Sequence, residues 1–157
     1  VFFIFFIVHG NSQCEVKSKL WPDQTMYFSV SPELFFYTEV KSLKGNITTD
    51  KHNYFLRLLP KPFPAKEEKK NLDHAIKIVL TNDSAIVLEN FDVEYRSRDT
   101  SLSLMYLIPD KFLSLFTEHD VKSLTIDLGD QSGERHYGFV LHKATLREQL
   151  NCLKKIK

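Results

Sequence analysis

The chain has 157 residues, with 21 basic against 20 acidic side chains and a net charge of +1 at pH 7. That length suits one domain, and so even a balance gives no electrostatic footprint for nucleic acid or for an acidic membrane surface. Five dispersed glycines exclude the glycine-rich loops that cradle phosphates.

The first residues, Val1-Phe2-Phe3-Ile4-Phe5-Phe6-Ile7-Val8, contain no polar side chain, and His9, Gly10, Asn11, Ser12 and Gln13 then end the run. A membrane span needs about 20 residues, so this stretch is too short to cross. It suits the apolar core of a secretory signal, with Gly10 and Ser12 as small residues before a cut. The sequence predicts a signal peptide over 1–12, truncated at its start because the basic leader is missing, and a single domain over 13–157. A buried N-terminal strand is the alternative, against which the absence of alternation speaks. The protein is therefore expected to be exported (periplasmic, cell-surface or secreted), with no transmembrane segment in the mature chain.

Cys14 and Cys152 stand near opposite ends of that domain. An even count in an exported chain predicts a disulfide. Two free thiols, or lipid attachment at Cys14, are the alternatives, and Gln13 sits where a lipid signal has a small residue.

Alternation predicts strands over 26–30 and 34–41, and aromatic and aliphatic content predicts a third over 54–59, with a turn at Lys44-Gly45-Asn46 between the last two. Pro60, Pro62 and Pro64 open a charged stretch, and 60–72 reads as an exposed extended loop. Segments 75–81 and 84–88 flank Asn82-Asp83 as a hairpin, apolar on both sides and hence expected to be central and covered. Further strands follow at 91–95, where Arg96 closes the segment, and at 102–108. A short helix after Pro109 places Phe112, Leu115 and Phe116 on one face. Residues 121–142 predict an antiparallel hairpin with Leu124 facing Phe139, Ile126 facing Tyr137, and Asp127 paired with His136 on the outer side. A last helix has Leu146, Leu150 and Leu153 on one face and a capping box from Thr145 to Glu148. The fold class is mainly β (α+β): an antiparallel sandwich or strongly curved sheet of about eight strands, with one short helix and a C-terminal helix.

No catalytic, cofactor-binding or metal-binding residue emerges. His136 and His142 would lie about 20 Å apart on one strand, too far to share an ion, and His52, His74 and His119 have no ligand spacing. Glu118-His119-Asp120 reads as a solvated connection. Asn46-Ile47-Thr48 and Asn82-Asp83-Ser84 match the glycosylation triplet without discriminating anything. Aromatic residues are plentiful, and Phe63, Tyr27, Tyr37 and Tyr54 form the candidate binding surface.

The hydrophobic signal, the hairpin around Leu80-Thr81-Asn82-Asp83 and the closing Leu150-Asn151-Cys152-Leu153 resemble small uncharacterised exported proteins of Bacteroidetes over the second half of the chain. The resemblance implies export and a structural or binding role. It carries over no catalytic residue.

The functional expectation is an exported, non-catalytic binding or structural module whose partner is an unknown protein or small ligand. One alternative is a small-ligand carrier with an aromatic-lined cavity, walled by Tyr27, Phe36, Tyr54 and Tyr106. The other is a hydrolase whose site the fold assembles from distant residues.

Overall fold

A computed structural model describes residues 14–66, 72, 74–96, 98, 100–129 and 133–156. The expected signal segment and the middle of the expected 60–72 loop lie outside these residues. The described elements are, in order, β1 (Val16–Leu20), β2 (Met26–Val30), β3 (Glu33–Tyr37), β4 (Ser42–Thr49), β5 (Tyr54–Lys61), β6 (Ile76–Leu80), β7 (Ala85–Leu88), β8 (Asn90–Arg96), β9 (Ser101–Ile108), α1 (Asp110–Glu118), β10 (Val121–Asp127), β11 (Glu134–Gly138) and α2 (Thr145–Leu153).

Two antiparallel sheets pack together, in keeping with the predicted sandwich. The larger runs β1-β2-β4-β5-β9-β8, with β3 also paired to β4, and the smaller runs β11-β10-β6-β7. Period-two alternation divides each strand between core and outside. On β5 and β9 the even residues Leu56, Leu58, Leu102, Leu104, Tyr106 and Ile108 enter the main core. The smaller sheet meets them with Ile76, Ile78, Leu80, Ile86, Leu88, Leu124 and Ile126, all buried. Leu146, Leu150 and Leu153 of α2 complete the same core, as their spacing predicts.

Several local expectations change. The segment 42–49, expected to turn at Gly45, is a full strand pairing β5 from Ser42 to Thr49. The turn lies earlier, at 38–41, where the Thr38 hydroxyl accepts from the Val40 and Lys41 backbone N–H groups at 3.3 and 3.1 Å. A threonine can build such a turn without glycine or proline, which is why it left no sequence signal. Gly45 serves closeness instead. A Cβ there would stand 2.5 Å from the Phe35 ring and 2.7 Å from the Arg57 carbonyl oxygen. Pro60 also sits in a strand, opposite Leu43, beyond Leu58 where the pairing with β9 stops, so its missing donor leaves that side undisturbed. The 60–72 stretch is anchored at its start: Phe63 packs edge-on against Tyr95, whose hydroxyl donates to the Pro64 carbonyl at 2.8 Å.

The hairpin at 76–88 forms, with Asp83 at φ 65° in its turn. It is covered on one face only. β7 is a sheet edge, and Val87 is 53 % exposed. The 121–138 hairpin is antiparallel as expected, but its register differs by two residues: Leu124 faces Tyr137 and Ile126 faces Arg135. A shift of two keeps every side chain on its own face, so burial could not distinguish the two registers. The turn decides, with Leu128 N–H donating to the Gly133 carbonyl at 3.0 Å and both Gly129 and Gly133 at positive φ. Asp127 consequently loses His136 and pairs with His74, Nδ1 to Oδ2 at 2.7 Å. The Gly129 backbone N–H, with lesser help from His74, holds the Asp127 carboxyl below its ordinary range.

The predicted capping box on α2 does not form: Thr145 is already helical, Ala144 is the cap residue, and no side chain bonds there. Gln149, which the sequence left unremarked, is buried and accepts the Ile47 backbone N–H at 2.9 Å. Cys152 is bonded to Cys14, with Cα atoms 5.8 Å apart and 138 residues between them. The bridge fastens α2 to the chain entering β1.

Two outcomes test these contacts. Cys152→Ser should lower stability by about 4–5 kcal/mol on the chain-entropy account, and thiol titration of the unfolded, unreduced wild-type protein should find no reactive thiol. An unchanged denaturation midpoint would show that the bridge contributes nothing. Gly45→Ala should cost about 1–3 kcal/mol through overpacking; urea titration giving a change within about 0.5 kcal/mol would show that Phe35 yields freely.

Candidate functional site

The odd residues of the central strands cannot join the main core, because they point away from it. Phe55 lies opposite Leu107 and Arg57 opposite Met105 on that outer face. Tyr27, Phe55 and Met105 are buried there in a second cluster, flanked by Trp21 and Leu107. The larger sheet is therefore apolar on both sides, and among the described residues only one side has a partner layer.

Curvature covers the other. In a flat sheet the five steps from β1 to β8, at about 4.8 Å each, would separate the edges by about 24 Å. Instead, Lys19, Trp21 and Pro22 at the β1 end line one cavity of about 530 Å³ together with Asp92, Glu94 and Arg96 of β8. The sheet curls until its edges share a groove, and its outer face is concave.

A row of four rings crosses that face. Trp21 lies 4.6 Å from Tyr27, Tyr27 lies 6.0 Å from Phe55, and Phe55 lies 4.7 Å from Phe91, all in tilted contact. Centroid separations in this range mark favourable aromatic pairs. Phe91 is 50 % exposed, so the row runs from shelter out to solvent. Burial pushes the Tyr27 hydroxyl up from its ordinary value, with Asp50 and Asp23 adding to the effect.

Three cations meet the rings at the floor. Lys19, Arg57 and Arg96 line a smaller cavity of about 50 Å³ with Trp21, Tyr27 and Met105. Arg57 Nε donates to the Ser103 hydroxyl at 3.0 Å. Arg96 holds Glu94 through Nε at 2.6 Å. Removal from water, and then the Arg96 charge, lowers the Arg57 pKa, while Glu94 pulls the other way.

The four aromatic residues singled out in the sequence do not share this place. Tyr27 belongs to the row. Phe63 packs on Tyr95, Tyr54 lies against the main core, and Tyr37 is 70 % exposed at the end of β3. Of the residues considered as a carrier's cavity wall, Tyr106 is core, Phe36 meets Tyr137 edge to face at 5.4 Å, and Tyr27 is on the opposite side of the sheet. Sequence reading overlooked Lys19, Trp21 and Arg57. The available signal was Arg57 itself, the one charge inside an otherwise apolar 54–59 run.

Elsewhere, Asp120 is held by Arg147 at 2.7 Å and its backbone carbonyl accepts from Thr81. Asn46 of the glycosylation triplet is 1 % exposed and donates to the Val30 carbonyl. Among the described residues no three His, Cys, Asp or Glu side chains converge as a metal site, and no helix is long and apolar enough to cross a membrane. Comparison with family models, with curated proteins and with solved structures found no match.

The ring row gives a direct check. Tyr27→Leu should cost about 1–3 kcal/mol, since each aromatic pair contributes about 0.5–1.5 kcal/mol beyond burial. Trp21 is the only tryptophan of the chain, so its emission should shift to longer wavelength in that variant. Identical emission and stability would mean that the rings merely lie side by side.

Proposed function

We propose that this protein is an exported, non-catalytic binding module and that it binds through the concave outer face of its larger sheet. The observation that carries the reading is the groove of about 530 Å³ bounded by both sheet edges, above a floor of packed rings. Its size falls within the range of small-molecule sites, and its mix of apolar wall with a few polar groups is the usual one. A groove of this kind supports a ligand held on a surface cup rather than within the sandwich, whose interior is filled by side chains of both sheets.

Export is supported by the covalent tie between Cys14 and Cys152, since such bonds persist in oxidising compartments. The absence of catalysis is proposed from the content of the face. It presents three cations, two carboxylates, the hydroxyl residues Ser29 and Thr48, and rings, with Glu94 committed to Arg96 and no histidine or cysteine in its lining. A base poised against a nucleophile, the minimum for most hydrolytic chemistry, is not among these groups.

Amide correlation spectra of the labelled protein, recorded against a set of small apolar and aromatic compounds, test the location. Binders should perturb residues 19–22 and 92–96 together. Perturbations confined to a second groove, lined by Cys14, Glu33, Gln149 and Cys152, or spread evenly over the surface, would overturn it.

A further inference from the structure

We infer that the concave face takes an organic carboxylate, an acid group carried on an apolar body, with the acid end seated among Lys19, Arg57 and Arg96. This rests on the reading of that face as the binding site, and its own support is the charge left over at the floor.

Among the described residues no carboxylate forms an ion pair with Lys19 or Arg57, while Glu94 is already bound to Arg96 at 2.5 Å. Arg57 is half withdrawn from water on a floor of rings. A guanidinium so placed has surrendered hydration and has a serine hydroxyl, not an anion, on its Nε. A cation in that position gains most from an incoming negative group.

Size and shape narrow the anion. The smaller cavity of about 50 Å³ shares Lys19, Trp21 and Arg96 with the larger groove and so adjoins it. One water needs about 10–15 Å³ of such space, so the cavity admits a group of about three to five heavy atoms. A planar carboxylate fits it and matches the fork of an arginine. The rest of the ligand would then run outward along Trp21, Leu20 and Pro22. Those walls select an apolar body, because a small hydrated anion would leave them wet. Asp92 and Glu94 line the outer groove, and their charge disfavours a second acid group there.

The test uses the emission of Trp21, with calorimetry as a second readout, on the full disulfide-bonded chain. The probes are decanoate and 3-phenylpropanoate, their neutral amides, and acetate. At least one of the two acids should bind saturably and about tenfold or more tighter than its amide; which one does so reports whether the body is aliphatic or aromatic. Acetate should bind far more weakly than either. Arg57→Gln should erase the preference for acid over amide, and Arg57→Lys should keep most of it. Lys19→Gln, on the exposed edge strand, reports the same preference should Arg57→Gln fail to fold. Equal titration of acid and amide, or a preference that survives Arg57→Gln, would overturn the carboxylate while leaving the binding face in place. Acetate binding as tightly as the longer acids would remove the apolar body from the proposal. Silence from acids and amides alike would overturn the binding face itself.

Discussion

The structure depends on one constraint: β5 and β9 are apolar on both of their faces. A strand of that kind must be covered twice. The smaller sheet and α2 cover the even-numbered side, where Leu56, Leu58, Leu104 and Tyr106 are all at most 1 % exposed. No second layer exists among the described residues for the other side. The larger sheet answers by bending its edges toward each other over Tyr27, Phe55 and Met105. Right-handed twist makes such curling the natural course for a long antiparallel sheet. Here it turns an incompletely covered apolar face into a groove.

Two close contacts tie the larger sheet together. Gly45 lets the Phe35 ring lie directly on β4, whose backbone is already at contact distance from the Arg57 carbonyl. Asn46 donates across the break after β2 to the Val30 carbonyl at 2.8 Å, holding β2 against β4 where the chain leaves to form β3. The disulfide then fixes α2 to the approach of β1. That strand is mostly exposed and carries Lys17 and Lys19, charges of the sort that protect a sheet edge from pairing with other chains. One of them, Lys19, also faces the groove.

Much of this fold was legible in the sequence, and the misses have common causes. The aromatic and aliphatic content of its run found β5, and alternation found β2, β9 and β10. It missed β1, whose Lys17, Ser18 and Lys19 give no apolar period, and β4, where Gly45 and Asn46 imitate a turn. It misplaced the 121–138 register by two because faces repeat every two residues and only the geometry of the Gly129–Gly133 turn separates the options. The site was less legible still. Tyr27 was recognisable as an aromatic, but its partners Trp21, Phe55 and Phe91 come from distant segments. Their neighbours Lys19, Arg57 and Arg96 meet only because the sheet curls. A linear reading contains no term for that approach.

The curl also explains why a chain with almost no net charge can carry a distinctly charged place. Twenty-one basic and twenty acidic residues cancel over the whole molecule, yet cancellation at a distance is screened by salt within about 10 Å. What a ligand meets is the local set. On the concave floor that set is Lys19, Arg57 and the Arg96–Glu94 pair, with rings rather than water beneath them. Near such apolar matter the half-buried Arg57 acts through a lower effective dielectric than it would at the open surface. Arg57 was placed there by the alternation of β5: as an odd-numbered residue between Phe55 and Leu59 it must point to the outer face. On a flat, exposed face the same arginine would be an ordinary solvated cation. The bend that shelters the rings withdraws Arg57 from water at the same time, so the apolar surplus of β5 and a sheltered arginine with no ion pair among the described residues are two results of a single cause.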